Sequence, residues 1–102
     1  MEFEWDEAKR LQVIAKHGID FIDALQIFDG PVFTKPDIRA DYGELRHIAI
    51  GLVAGNCMVV VYTDRRDVRR LISAWVGGRK EYGQYQAYVA GRSEGPHQGG
   101  TD

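Results

Sequence analysis

The chain opens on a strict alternation. Phe3 and Trp5 are interleaved with Glu2 and Glu4, the period of two expected of a short strand with one buried face. At Asp6 the period changes, and Ala8, Leu11, Ile14 and Ala15 recur at helical spacing as far as Lys16-His17-Gly18. Asp6 suits an N-cap, Glu7 suits the positive end of the helix dipole, and Gly18 is the expected left-handed stop. Asp20 can cap a second helix, with Phe21, Ala24, Leu25 and Phe28 as its apolar stripe, before Asp29-Gly30-Pro31 ends it. Residues 32–44 contain Pro36 and Gly43 and predict an edge strand or a loop.

From Leu45 the pattern is β. Ile48, Ile50 and Leu52 alternate with His47, Ala49 and Gly51, and Ala54-Gly55-Asn56 supplies a hairpin turn. Cys57 to Thr63 is almost wholly apolar and β-branched, which predicts a central strand covered on both faces or nearly so. After the turn Asp64 to Asp67, regular alternation over Val68–Val76 puts Val68, Arg70, Ile72 and Ala74 on one face and Arg69, Leu71, Ser73 and Trp75 on the other. Gly77-Gly78 breaks this strand, and Arg79 to Val89 predicts a terminal helix with Tyr82, Tyr85 and Val89 on its apolar side. The fold class is therefore α+β, in two layers. An N-terminal strand and two helices pack on an antiparallel meander, a C-terminal helix follows, and all helices lie on one face of the sheet while the other stays partly open. One domain over residues 1–90 is expected, with a polar, glycine-rich tail over 91–102.

Composition narrows the function classes. The 102 residues allow a single modest core. No apolar run approaches the roughly 20 residues of a membrane helix, and no secretory signal pattern opens the chain, so the cytoplasm is the expected compartment. One cysteine, Cys57, and three scattered histidines offer no metal-ligand spacing. The net charge of −2 hides an asymmetry, because residues 1–44 carry −5 and residues 45–92 carry +5. The second half can attract phosphate if the fold gathers its charges.

The ordered fragments carry more than a fold class. Phe3-Glu4-Trp5-Asp6, Lys9, Lys16-His17-Gly18-Ile19-Asp20-Phe21, Ala24 and Phe28-Asp29 resemble the opening of the BrnT family of type II toxins. Arg46 before Gly51, Tyr62-Thr63-Asp64-Arg65, Arg70-Leu71-Ile72-Ser73-Ala74, Lys80-Glu81 and Tyr85 are similar to the rest of that pattern. The resemblance implies a RelE-like fold and RNA cleavage without a metal or other cofactor, which stops translation. It also implies neutralisation by a ribbon-helix-helix antitoxin, BrnA-like, which supplies the contacts to operator DNA and within whose complex the toxin can dimerise. The alternative is a catalytically inactive homologue that binds the antitoxin as a co-repressor. Trp75 stands where the family pattern continues with arginine, which takes one cation from the site.

RNA brings its own nucleophile, the 2′-hydroxyl. A nuclease of this kind needs a base, cations around the crowded phosphate and an acid for the leaving oxygen. The catalytic candidates are Arg46, Arg65, Arg70, Lys80 and Glu81, with Arg69, Arg79, Trp75 and Tyr85 as substrate contacts. The guanidinium fork suits phosphate. Blander readings stand beside these. The arginines at 65, 66, 69 and 70 can be a solvated turn paired with Asp64 and Asp67, and Glu81 can position an arginine instead of moving a proton. Tyr85 can dock its helix, His17 can serve a helix C-terminus, and His47 is a base candidate without an identified partner.

Overall fold

A computed structural model describes residues 1–98, with side chains placed as far as Arg92. The strands are β1 (Glu2–Glu4), β2 (Phe33–Pro36), β3 (His47–Val53), β4 (Asn56–Arg65) and β5 (Val68–Val76). The helices are α1 (Glu7–His17), α2 (Phe21–Ala24) and α3 (Arg79–Gln98), and a 3₁₀ turn over Leu25–Asp29 follows α2. The expected tail begins inside α3, and residues 99–102 lie outside the described residues. Among the described residues, no helix is long and apolar enough to cross a membrane.

The predicted signals act where they stand. The Asp6 carboxylate accepts the Ala8 N–H at 2.9 Å, and Gly18 closes α1 in the left-handed region at φ 70°. Asp20 caps α2 in the same way through the Ile22 N–H. The second helix is shorter than its apolar stripe suggested. It tightens into 3₁₀ geometry, so Phe21, Ala24 and Ile27, three residues apart, are the fully buried set and Phe28 is only partly covered.

The sheet has the order β1-β5-β4-β3-β2. β3, β4 and β5 form the expected meander. β1 adds in parallel to β5, with Glu4 opposite Arg70, and β2 adds antiparallel to β3 at the other edge. The fold is α+β around one sheet, but its helices are not all on one side. α1, α2 and the 3₁₀ turn cover Ala49, Val60, Tyr62, Leu71 and Ala74. α3 crosses to the opposite face and packs Tyr85 and Val89 against Ile50, Val59, Leu52 and Cys57. The reason lies in β3 and β4, which are apolar on both faces and need cover on both. α3 reaches only the β2–β4 end of that second face, leaving Val61, Ser73 and Trp75 to line open cavities.

A second difference shapes the site. In the β4–β5 pairing, Val61 faces Ser73 while Tyr62 faces Leu71, which leaves Ile72 as an extra residue in a bulge. Regular alternation would place Arg70 and Trp75 on opposite faces. The bulge puts Leu71 and Ala74 together in the core and sends Arg70, Ser73 and Trp75 to the open face.

Candidate functional site

Pairing builds a row of polar side chains across the open face. Arg46 immediately precedes β3, and the β3–β4 register carries it beside Thr63, which faces Arg70 on β5, which faces Glu4 on β1. Thr63 is buried and donates its hydroxyl hydrogen to the Leu45 carbonyl at 2.7 Å, tying the segment before β3 to the central strand. Arg46, Arg65 and Arg70 line one cavity of about 300 Å³ with Lys9, Asp6 and Glu44. Carboxylates already hold these arginines. Glu44 lies 3.2 Å from Arg65 and 3.6 Å from Arg46, and Glu4 lies 3.0 Å from Arg70. The Arg46 guanidinium sits 4.1 Å over the Tyr42 ring, and its Nε is buried without a hydrogen-bond partner among the described residues.

Lys9, Arg46 and Ile72 also line a second cavity of about 510 Å³. Its other walls are Lys16, His17 and Arg39, over a floor of Val61, Ser73 and Trp75, and among the described residues no carboxylate lines it. α1 is responsible for three of these groups. Lys9 and Lys16 are seven residues, two helical turns, apart and share a side of the helix next to the buried Val13. The C-terminal turn of α1 brings His17 to 6.5 Å from the Trp75 ring. A third cavity, about 540 Å³, continues beyond Trp75 and Arg39 to Lys35, Ile48, Ile50, Val59 and Lys80. Because neighbouring cavities share lining residues, they form one trough along the open face, with its cations supplied by both halves of the chain.

Arg39 is held firmly. Its Nε and Nη2 each donate at 2.8 Å to the Asp37 carboxylate, which is wholly buried. The guanidinium keeps the Asp37 carboxyl at about 2, below the usual carboxylate range, against the opposing effect of burial. Arg39 in turn lies 5.5 Å from the Trp75 ring centroid.

Of the residues proposed from sequence, Arg46, Arg65, Arg70, Trp75, Lys80 and Glu81 line the trough. Three others are placed differently. Arg69 lies on the opposite face because strand alternation separates it from Arg70. There it forks onto Asp64 at 2.8 and 3.0 Å and covers the rings of Tyr62 and Phe28. Arg79 lines a separate cavity with Gly55, Cys57 and Tyr82. Tyr85 is buried between α3 and the sheet. Glu81 lines the third cavity beside Lys80, and its Oε1 also accepts the Gly78 N–H at 2.8 Å and so caps the start of α3. His47 stacks on Tyr62, on the face away from the trough. Lys9, Lys16 and Arg39 were missed because the first half of the chain is acidic in sum. The paired lysines on one helix face were the available signal.

Among the described residues, no group of three His, Cys, Asp or Glu side chains gathers as metal ligands would. A search of curated proteins finds no match. A family model described as ribonuclease toxin, BrnT, of type II toxin–antitoxin system matches residues 5–81. The fold is similar to a crystal structure of the Brucella abortus ribonuclease toxin BrnT, with a TM-score of 0.62 and 32% sequence identity over 78% of this chain and 99% of that one. A match from α1 through β5 to the start of α3, together with that shared fold, places the chain in the BrnT family of ribonuclease toxins of type II toxin–antitoxin systems.

Proposed function

We propose that the protein is itself a ribonuclease that cleaves RNA in this trough without a metal ion, inhibits translation, and is neutralised by a ribbon-helix-helix antitoxin. The observation that carries the reading is the cavity lined by Lys9, Lys16, His17, Arg39 and Arg46 and, among the described residues, by no carboxylate, continuous with Arg65 and Arg70. A phosphodiester is the anion such a surface suits, because guanidinium and ammonium groups stabilise charge that builds on phosphorus oxygens. In the reaction the RNA 2′-oxygen bonds to phosphorus and the bond to the 5′-oxygen breaks, leaving a cyclic phosphate and a free 5′-hydroxyl. One proton leaves the 2′-hydroxyl and one arrives at the 5′-oxygen. We assign proton transfer to His17, the imidazole in the cavity, and charge stabilisation to Arg46, Arg65 and Arg70. Lys80 holds a flanking phosphate further along the trough.

The partners follow from this reading. The antitoxin covers the trough and carries the contacts to operator DNA, and the toxin joins that complex as a dimer. Expression without antitoxin tests the function. Growth arrest with loss of intact RNA, abolished by Arg46→Ala and by His17→Ala in folded protein, is the expected result. Undiminished arrest by both variants overturns the site.

One set of contacts favours a second reading. Arg46, Arg65 and Arg70 all face carboxylates of this same chain, Glu44 and Glu4, and Trp75 stands where the family pattern has a cation. A homologue that binds antitoxin as a co-repressor without cleaving RNA fits those contacts. Normal growth of cells making abundant folded protein selects it.

A further inference from the structure

Trp75 divides the trough into two chemically different cavities. On one side the walls are Lys9, Lys16, His17 and Arg46. On the other the floor is apolar, made by Ile48, Ile50 and Val59, and Lys35, Lys80 and Glu81 line the same space. Arg39 belongs to both sides, and the buried Asp37 carboxylate fixes it near the indole. The volume of about 540 Å³ lies within the roughly 300–1,000 Å³ usual for small-molecule sites. Ile38 stands at its border, 87% exposed.

We infer that this apolar cavity is a nucleobase pocket, in which one unpaired base of the RNA stacks on Trp75 beside Arg39 while its backbone lies in the cationic cavity across the indole. The inference rests on the reading of the trough as an RNA site. Two features select a base over an apolar antitoxin side chain. The rim carries Lys35, Arg39 and Lys80 against the single carboxylate of Glu81, which is engaged by the Gly78 N–H, so its balance suits a group attached to phosphate, and the pocket runs directly into the cationic cavity. An indole and a guanidinium plane are the surfaces on which unpaired bases stack in RNA-binding proteins. Asp37 is a positioning residue here. It touches no RNA but holds Arg39 beside the ring, and its backbone N–H donates to the Arg46 carbonyl at 2.9 Å, joining the two cavities.

The test uses the full chain carrying Trp5→Phe, so that Trp75 is the remaining indole. The probe is a pentanucleotide with 2′-O-methyl groups, which cannot supply the nucleophile, compared with the same sugar–phosphate chain lacking bases. Binding is followed by anisotropy and indole fluorescence. The expected result is quenching by the base-bearing probe and binding on the order of tenfold tighter than the baseless chain. Trp75→Phe keeps most of that preference, whereas Trp75→Ala and Asp37→Asn reduce it. Equal, salt-sensitive binding of both probes with no quenching overturns the pocket and leaves the trough reading standing. Failure of both probes to bind, with no RNA loss on expression, overturns both. Quenching by antitoxin when neither probe quenches in its absence assigns the cavity to protein and also overturns the proposal. The comparison of the two probes needs no cavity variant, so misfolding of Trp75→Ala does not blunt it.

Discussion

Arg69 and Arg70 are neighbours in sequence with opposite surroundings. Arg70 faces the trough at 3.0 Å from Glu4, whereas Arg69 forks onto Asp64 and lies 4.2 Å over the Tyr62 ring on the other side. Arg70→Ala is expected to abolish growth arrest with little change in Tm. Arg69→Ala is expected to retain RNA cleavage at low temperature while losing about 1–3 kcal/mol of stability in denaturant unfolding, because it removes a charge-assisted fork and a covering cation. The reverse pattern would show that the strand faces have been misassigned. The arginine cluster was legible as a cluster, but neighbouring residues of one composition carry no mark of which face they will take. A similar limit applies to Glu81. A carboxylate three residues after Gly78 is a capping signal as well as a chemical candidate, and only the contact at 2.8 Å separates the two.

At the level of elements, that contact gives a direct test. Glu81→Ala is expected to lower stability by about 1 kcal/mol, and Glu81→Gln, which can still accept the Gly78 N–H, is expected to restore most of it. Loss of cleavage by the glutamine variant at unchanged Tm would return Glu81 to the chemistry. The sheet and the 3₁₀ turn approach closely at Gly51, where an added Cβ would lie 2.8 Å from Ile27 Cβ. Gly51→Ala therefore costs about 1–3 kcal/mol through overpacking, measured as a fall in Tm with the site chemistry retained. The elements themselves could be read from pattern, since caps, the Gly18 stop and the apolar β4 all act locally. The bulge at Ile72 could not. It is set by how Leu71 and Ala74 both reach the core opposite Tyr62 and Val60, a condition that involves two strands.

Over the whole molecule, charge links stability to function. Asp20 and Asp37 are held at about 2 by Arg10 and Arg39 respectively, against an ordinary value of 3.8. A carboxyl whose folded pKa is depressed stabilises the fold above its unfolded value and loses that contribution as pH falls through the folded one. Stability is thus expected to decline as pH drops from about 3.8 toward about 2, and Asp37→Asn should flatten part of that decline in acid titrations followed by circular dichroism. RNA binding tests the trough by another route. With about three or four phosphates neutralised, the affinity of a non-cleavable single strand should fall with a log–log salt slope of about −2 to −3. A flat salt profile would deny the cations their role, whatever the net charge of −2.

The order of residues by itself determined the α+β class, the caps, the central strand and the family, because each depends on spacing along the chain and on local hydrogen bonding. Tertiary structure decided that α3 crosses to the second face, that a bulge turns Arg70 and Trp75 the same way, and that Lys9, Lys16 and Arg39 from an acidic half join Arg46. Those outcomes depend on both faces of one sheet needing cover at once, a requirement that no single stretch of sequence can express.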